Sequence, residues 1–144
     1  MKIVFFGVGA VCSVMETLLD ELSKKKKKKD INFIFVVRNI KKAQAHFFKN
    51  SNVLNKSDFL EIKHFEEIFE DSKKYENYLR NSDIFINSST PSFNLPIMNL
   101  ALKYNTNYAD LASDIYKDEI ISTLKFDQQI LENEFKSQNL FALI

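Results

Sequence analysis

A pair of glycines near the N-terminus limits the folds that this chain can adopt. Gly7 and Gly9 are the only glycines in 144 residues, and they stand two apart directly after the apolar run Lys2–Phe6. Glycine adopts tight turns and allows close approach of other groups to the backbone without a steric penalty. A chain that contains so little glycine and places both residues here is expected to need them for the turn after its first strand.

The residues on both sides of this pair complete a strand–turn–helix pattern. The first run is β-branched and aromatic, which is typical of a buried strand. After the glycines, apolar residues recur at helical spacing through residues 11–22. This order is typical of the first βαβ unit of a dinucleotide-binding domain. The alternative interpretation is an ordinary turn without a ligand.

In such a βαβ unit, the residues of the turn and of the first helical turn contact the phosphates of the dinucleotide. Gly7 permits the tight turn, and Gly9 lets a pyrophosphate approach the backbone. Ala10 and Val11 then begin a helix whose free N–H groups face the phosphate charge. Cys12 occupies the third glycine position of the G-x-G-x-x-G pattern. Because cysteine is small and buries readily, we expect the helix to lie slightly farther from the strand.

Strands and helices alternate through the rest of the chain. Further strands are predicted at residues 31–37, 59–62, 83–87, 106–110 and 140–144. Further helices are predicted at about residues 40–49, 65–79, 94–104 and 118–138. This alternation predicts an α/β fold, a single domain with a doubly wound parallel sheet of the Rossmann type and the strand order 3-2-1-4-5-6.

Arg38 and Asn39 follow the second predicted strand and indicate the kind of cofactor. NAD-binding domains usually carry Asp or Glu there, to hold the ribose 2′-hydroxyl. This strand end has no carboxylate to repel a 2′-phosphate, and an arginine can pair with that phosphate or stack on the adenine. The sequence therefore predicts NADP rather than NAD. The alternative is that Arg38 is a solvated loop residue.

A second group of candidate residues follows the fourth predicted strand. It consists of Ser88, Ser89, Thr90 and Pro91. Strands one and four flank the topological switch point of a doubly wound sheet, so this loop and the glycine turn are expected to face one another across one crevice. The hydroxyl groups suit hydrogen bonds to a cofactor, and they equally suit capping of the following helix.

Composition narrows the possible partners. The net charge of +1 selects neither nucleic acid nor a membrane surface, and the lysine run at residues 24–29 is interpreted as a loop after a helix. One cysteine and two isolated histidines give no disulfide and no metal site. Because no apolar run approaches the ~20 residues that span a bilayer, and no signal peptide is recognised, we expect a cytoplasmic chain.

Several stretches together resemble one protein family. They are Gly7-Val-Gly-Ala-Val11, Val37-Arg38-Asn39, and residues 86–91, 107–112 and 135–143. In order and spacing they resemble the N-terminal cofactor domain of the saccharopine dehydrogenase superfamily, which includes saccharopine reductases and carboxynorspermidine dehydrogenases. The resemblance covers nearly the whole chain. The third strand departs from it, because Lys63-His64 stands where family members often carry an acidic residue near the adenine.

The resemblance implies a function for residues 1–144. They would form the NADP-binding domain of an oxidoreductase that acts on a C–N bond of an amino acid or polyamine conjugate. Family members continue into a substrate domain, so we expect this chain to be truncated before the catalytic residues and to be inactive alone. The resemblance is also compatible with a homo-oligomer. The alternative is a non-enzymatic nucleotide-sensing domain of the same fold.

Asp110 is the last residue of the fifth predicted strand, and ligands bind at the carboxyl ends of the strands in this fold. In a structural role it accepts hydrogen bonds and shapes the following loop. In a functional role it lines the nicotinamide and substrate side of the crevice. We favour the structural role.

Overall fold

The computed structural model describes residues 1–9, 12, 14, 15, 18, 21, 31–47, 57–110 and 130–143. Its strands are β1 (Lys2–Phe6), β2 (Asn32–Val37), β3 (Ser57–Glu61), β4 (Ile84–Asn87), β5 (Asn107–Asp110) and β6 (Ala142–Leu143). They form one sheet in the order β3-β2-β1-β4-β5-β6, and all neighbouring strands are parallel. The predicted fold class and strand order are confirmed.

The helices of the described residues cover both faces of this sheet. They are α1 (Ile40–Gln44), α2 (Glu66–Glu70), α3 (Glu76–Leu79), α4 (Asn94–Lys103) and α5 (Glu132–Ser137), with 3-10 turns at Ser72–Tyr75 and Pro91–Phe93. In the predicted first helix, the described residues are all helical: Cys12, Val14, Met15, Leu18 and Glu21. None of the helices in the described residues is long and apolar enough to cross a membrane.

β1 lies in the middle of the sheet and is buried on both faces. Ile3 and Phe5 belong to one apolar cluster, together with Cys12, whereas Val4 and Phe6 belong to another on the opposite face. A parallel strand with both faces covered has a nearly continuous apolar sequence because neither face meets water. This explains why the first run of the chain lacks the polar–apolar alternation of a half-exposed strand.

The two clusters have different compositions. The cluster containing Phe5 is aromatic: the ring of Phe35 lies 5.3 Å from that of Phe5 and 4.9 Å from that of Phe47. The opposite cluster contains side chains from the four other helices, represented by Ile68, Leu79, Ile97 and Phe135. Helices on both faces make the sheet doubly wound. The carboxyl ends of the strands are then left open to a ligand.

The helix predicted at residues 65–79 is interrupted. α2 ends before Asp71, whose backbone angles of φ −131° and ψ 67° are not helical. The carbonyl oxygen of Ser72 accepts a hydrogen bond from the Tyr104 hydroxyl at 3.0 Å, and the Ser72 hydroxyl accepts one from Lys103 Nζ at 2.7 Å. These contacts with the end of α4 outweigh the helical periodicity, which continues through the break.

The helix predicted at residues 40–49 also ends early, at Gln44. His46 N–H donates to the Ala43 carbonyl, and Phe47 N–H donates to the Gln44 carbonyl. Such short-range bonds tighten the last turn of a helix, and here they turn Phe47 into the aromatic cluster. Residues 48 and 49 lie outside the described residues.

In the described residues, the two C-terminal elements begin later than predicted. α5 is described only from Glu132 to Ser137, after a turn at Ile130 and Leu131, and residues 118–129 lie outside the described residues. β6 begins at Ala142, and residue 144 lies outside the described residues. Just before it, the Phe141 N–H donates to the Asn107 side chain at 3.1 Å, and the Phe141 carbonyl accepts the Tyr108 N–H at 3.0 Å.

Candidate functional site

A cleft of about 550 Å³ opens at the carboxyl ends of β1, β2 and β4. The connections from β1 and β4 leave on opposite sides there, which is the usual ligand position in a doubly wound sheet. The described residues that line it are Gly7, Val8, Gly9, Val37, Arg38, Asn39, Lys42, Ala43, His46, Phe65, Ser88, Ser89 and Thr90.

Gly7 forms the turn that leads from β1 into the cleft. Its φ of +95° lies in the region that side-chain-bearing residues rarely adopt. A Cβ atom placed on Gly7 would lie 2.8 Å from the Cβ of Ser89. Glycine is therefore required twice here, by the backbone angle and by the close approach of the loop after β4.

Gly9 differs from Gly7, because a Cβ atom placed on it would meet no heavy atom of the described residues within 4 Å. The backbone at Gly9 faces open space within the cleft. This is the room that a pyrophosphate needs in order to approach the chain, so the position fits a dinucleotide.

The serines after β4 use their hydroxyl protons within the protein. Ser88 Oγ donates to the Gly7 carbonyl at 2.8 Å, and Ser89 Oγ donates to Asn87 Oδ1 at 2.7 Å. Neither caps α4, whose N-cap residue is Phe93 without a side-chain hydrogen bond. The capping role suggested by the sequence is therefore wrong for these hydroxyls, and they join the loop to β1 and to β4 instead.

A buried polar network continues from this loop into the sheet. Asn87 Nδ2 donates to Asn94 Oδ1 at 2.6 Å and to the Thr90 carbonyl at 3.0 Å. The Tyr108 hydroxyl lies 3.1 Å from Asn94 Oδ1 and 2.9 Å from Asp110 Oδ2. Burial, and secondly the charge of Asp110, raise the pKa of the Tyr108 hydroxyl, so it keeps its proton and donates it.

Three basic side chains line the β2 side of the cleft: Arg38, Lys42 and His46. Arg38 precedes α1, Lys42 lies within it and His46 follows it, and their spacing of four residues places them on the same side of the chain. Asn39 begins this helix, since its side-chain oxygen accepts the Lys42 N–H at 2.8 Å. Asp and Glu are absent from the described lining residues, and such a donor set suits a phosphate.

Glu61, at the end of β3, is a carboxylate near this region that sequence analysis did not identify. β3 pairs with β2, and Glu61 lies beside Val37 in the register. Its Oε1 accepts the Ile40 N–H at 3.0 Å, at the start of α1. The carboxylate therefore satisfies a free N–H of that helix, and Glu61 is not among the residues that line the cleft.

The structure brings most of the predicted site residues together around one cleft. Those that line it are Gly7, Gly9, Arg38, Asn39, Ser88, Ser89 and Thr90. Pro91 is not in the described lining and begins the 3-10 turn before α4. Ala10 and Val11 lie outside the described residues.

Sequence analysis missed several other lining residues. Lys42 and His46 follow Arg38 at intervals of four, a pattern that could have been found once α1 was predicted. Phe65 has no comparable sequence signal, because it reaches the cleft only through the path of the chain after β3. Within the described part of the chain, no group of three His, Cys, Asp or Glu residues could hold a metal ion.

Comparison with known proteins relates this geometry to a family. The family model described as the saccharopine dehydrogenase NADP binding domain matches residues 3–142. None of the curated proteins compared with the chain matches its sequence. Among solved structures, the apo saccharopine dehydrogenase (L-Glu forming) from Saccharomyces cerevisiae has a TM-score of 0.62 at 18% identity, over 98% of this chain and 26% of that protein.

Other solved structures share the fold. GenD2 from gentamicin A biosynthesis, in complex with NAD, has a TM-score of 0.59 at 10% identity, over 99% of this chain and 33% of that one. A myo-inositol dehydrogenase from Corynebacterium glutamicum has a TM-score of 0.54 at 11% identity, with coverages of 99% and 35%. The chain thus spans roughly a quarter to a third of the length of these proteins. Because the family model matches nearly every residue, the chain belongs to the saccharopine dehydrogenase NADP binding domain family.

Proposed function

We propose that this chain binds NADP(H) in the cleft at the ends of β1, β2 and β4, as the cofactor domain of a dehydrogenase or reductase. One juxtaposition carries the proposal. Open backbone at Gly9 and three basic side chains after β2 line the same cleft, at the switch point of the sheet. NADP needs both features, the first for its pyrophosphate and the second for its phosphorylated ribose.

Each part of the cofactor has its own contacts in this proposal. The pyrophosphate lies against Gly9, where a side chain would fill its space. The adenosine 2′-phosphate lies among Arg38, Lys42 and His46. The nicotinamide half extends toward Ser88 and the loop that follows β4, on the other side of the switch point.

Charge supports NADP over NAD. A phosphomonoester carries about −1.5 to −2 charges at neutral pH. Arg38 and Lys42 supply positive charge in the lining, and no carboxylate is among the described lining residues. NAD offers only a hydroxyl at the same position, and the acidic residue that usually holds it is replaced by Arg38. Glu61, the nearby carboxylate, is engaged with the Ile40 N–H.

We further propose that the parent protein is an oxidoreductase of the saccharopine dehydrogenase type. Its reaction would be the reduction or oxidation of a C–N bond in an amino acid or polyamine conjugate. When bound, the nicotinamide supplies or accepts the hydride. The residues of this chain hold the phosphates and orient the ring, while substrate contacts and acid–base groups belong to other parts of the parent protein.

Amide chemical shifts of the labelled chain test this function. Adding NADPH is expected to shift the amide signals of Gly7, Gly9, Arg38 and Ser89. The amide signal of Asn81 serves as a control. Asn81 lies near the amino end of β1, at the opposite end of that strand from the cleft, where Lys2 Nζ donates to the Arg80 carbonyl. Absence of shifts, or shifts concentrated near Asn81, would contradict the proposal.

A further inference from the structure

We propose that Asp110, Tyr108 and Asn94 form a relay that sets the geometry of the Ser88–Ser89 loop, and thereby the affinity for the nicotinamide half of the cofactor. This inference rests on the proposed function. It makes the three residues positioning residues, since none of them is among the described residues that line the cleft.

The relay is buried throughout. Relative exposure is 0% for Tyr108, 4% for Asn94, 5% for Asn87 and 7% for Asp110. Water therefore does not readily replace a partner that is lost from the relay. A buried polar group that loses its partner carries its full desolvation penalty, so the hydrogen bonds of such a network depend strongly on one another.

Asn87 connects the relay to Ser89, a residue that lines the cleft. Its Oδ1 accepts both the N–H and the hydroxyl of Ser89, at 3.0 and 2.7 Å. Its Nδ2 donates to Asn94 Oδ1 and to the Thr90 carbonyl. Reversing this amide would bring its Nδ2 donor against the Ser89 N–H and its oxygen against Asn94 Oδ1, so the orientation of Asn87 fixes the first residues of the loop.

The orientation of Asn87 depends in turn on Asn94, which must present its oxygen to Nδ2. That oxygen lies within 3.1 Å of the Tyr108 hydroxyl, whose one proton also reaches Asp110 Oδ2 at 2.9 Å. The hydroxyl therefore links the carboxylate of β5 to the amide at the start of α4. This chain of contacts crosses from β5 to Asn87 at the end of β4, and through Asn87 it reaches Ser89 in the cleft.

The test compares two ligands in the 144-residue chain. NADPH contacts both halves of the cleft in the proposed function, whereas 2′,5′-ADP lacks the nicotinamide half. Tyr108→Phe removes one buried hydroxyl while keeping the ring. We expect its dissociation constant for NADPH to rise about five- to tenfold, the effect of one lost hydrogen bond. The constant for 2′,5′-ADP should change by less than about twofold.

Thr106→Val is the matched control, because it also removes a buried hydroxyl. Thr106 Oγ1 lies 3.2 Å from the Ser82 and Tyr104 carbonyls, just before the amino end of β5 and away from the cleft. This variant should lower the melting temperature yet leave both dissociation constants unchanged. Asp110→Asn should retain near-wild-type NADPH affinity, since it keeps an oxygen that accepts from Tyr108, whereas Asp110→Ala should resemble Tyr108→Phe.

Two patterns would overturn the relay. One is an equal change for both ligands, or no change for either, in Tyr108→Phe. The other is an equal loss of NADPH affinity in Thr106→Val, which would make the effect one of general stability. If Tyr108→Phe does not fold, Asp110→Ala and Asp110→Asn decide by the same two-ligand comparison. A wild-type chain that binds neither ligand refutes the proposed function itself, and the relay with it.

Discussion

Gly7 and Ser89 approach so closely that a Cβ atom on Gly7 would lie only 2.8 Å from the Cβ of Ser89. The adjacent residue adds a hydrogen bond, from Ser88 Oγ to the Gly7 carbonyl at 2.8 Å. The turn after β1 and the loop after β4 are thus packed as one unit. Their spacing, and with it the width of the cleft, depends on the absence of a side chain at Gly7.

Gly7→Ala should destabilise the fold. The new Cβ would be strained by the φ of +95° and would collide with Ser89. These two effects together should lower the free energy of unfolding by about 2–4 kcal/mol. Urea unfolding measures it as a lower midpoint at an unchanged slope. A midpoint equal to that of the wild type would show that the turn relaxes without cost.

Gly9→Val, unlike Gly7→Ala, should leave the domain folded but abolish NADPH binding. A Cβ at Gly9 meets nothing in the described residues within 4 Å, so the free energy of unfolding should change by no more than about 1 kcal/mol. The branched side chain would occupy the space of the pyrophosphate. Fluorescence titration with NADPH checks this, and wild-type affinity in a folded variant would mean that the glycine serves only the turn.

Lys42→Ala should weaken NADPH binding and leave NADH binding nearly unchanged. Lys42 lines the cleft beside Arg38, and its charge faces the proposed 2′-phosphate. Loss of a charged hydrogen bond of this kind costs on the order of 1.5–3 kcal/mol, and Arg38→Ala should behave alike. Parallel titrations with the two cofactors measure the difference.

Lys41→Ala is the control for this prediction. Lys41 lies on the same helix and is exposed, but it is not among the residues that line the cleft. Its removal changes the net charge by the same amount as the loss of Lys42. Equal losses of NADPH affinity in the two variants would indicate a general effect of charge instead of a contact with the 2′-phosphate.

Glu67 should make stability depend on pH on the acid side. Its carboxylate accepts from the His64 N–H at 3.1 Å and from the Tyr75 hydroxyl at 3.2 Å, and the backbone bond is the larger cause of its lowered pKa. A lowered pKa in the folded state stabilises the fold above the group's ordinary value of 4.5. This stabilisation is lost as the pH falls through the folded-state pKa.

Glu67→Gln measures that contribution. Its melting temperature should fall below that of the wild type at about pH 6.5, and the gap should narrow toward about pH 3, where the wild-type carboxyl is protonated as well. Partial exposure of Glu67 to solvent keeps the effect modest. A gap that is constant between these two pH values would show that the charge of Glu67 does not contribute.

The strands and their order were predictable because local patterns and fold rules agree there. β1 has a continuous apolar sequence, and the turn at Gly7 follows it directly. Parallel strands joined by crossover helices then restrict the order to a few possibilities. That order alone places the glycine turn next to the loop at Ser88.

Features that depend on distant contacts could not be predicted. The helix breaks at Asp71 because the Ser72 carbonyl accepts a hydrogen bond from the Tyr104 hydroxyl, 32 positions away. The bond from Asn87 to Asn94 likewise requires the position of α4. No periodicity in the sequence reports such contacts, since tertiary packing overrides local propensity. Lys42 differs, because its spacing from Arg38 was visible and only the face of α1 was unknown.

Calorimetric titration of the wild-type chain with NADPH and with NADH tests the proposed cofactor most directly. We expect NADPH to bind at least about tenfold more tightly, because its 2′-phosphate meets Arg38 and Lys42. The difference should narrow as salt is raised, since the contacts lie at the protein surface. Equal affinities, or tighter binding of NADH, would contradict the assignment of the basic side chains after β2 to a 2′-phosphate.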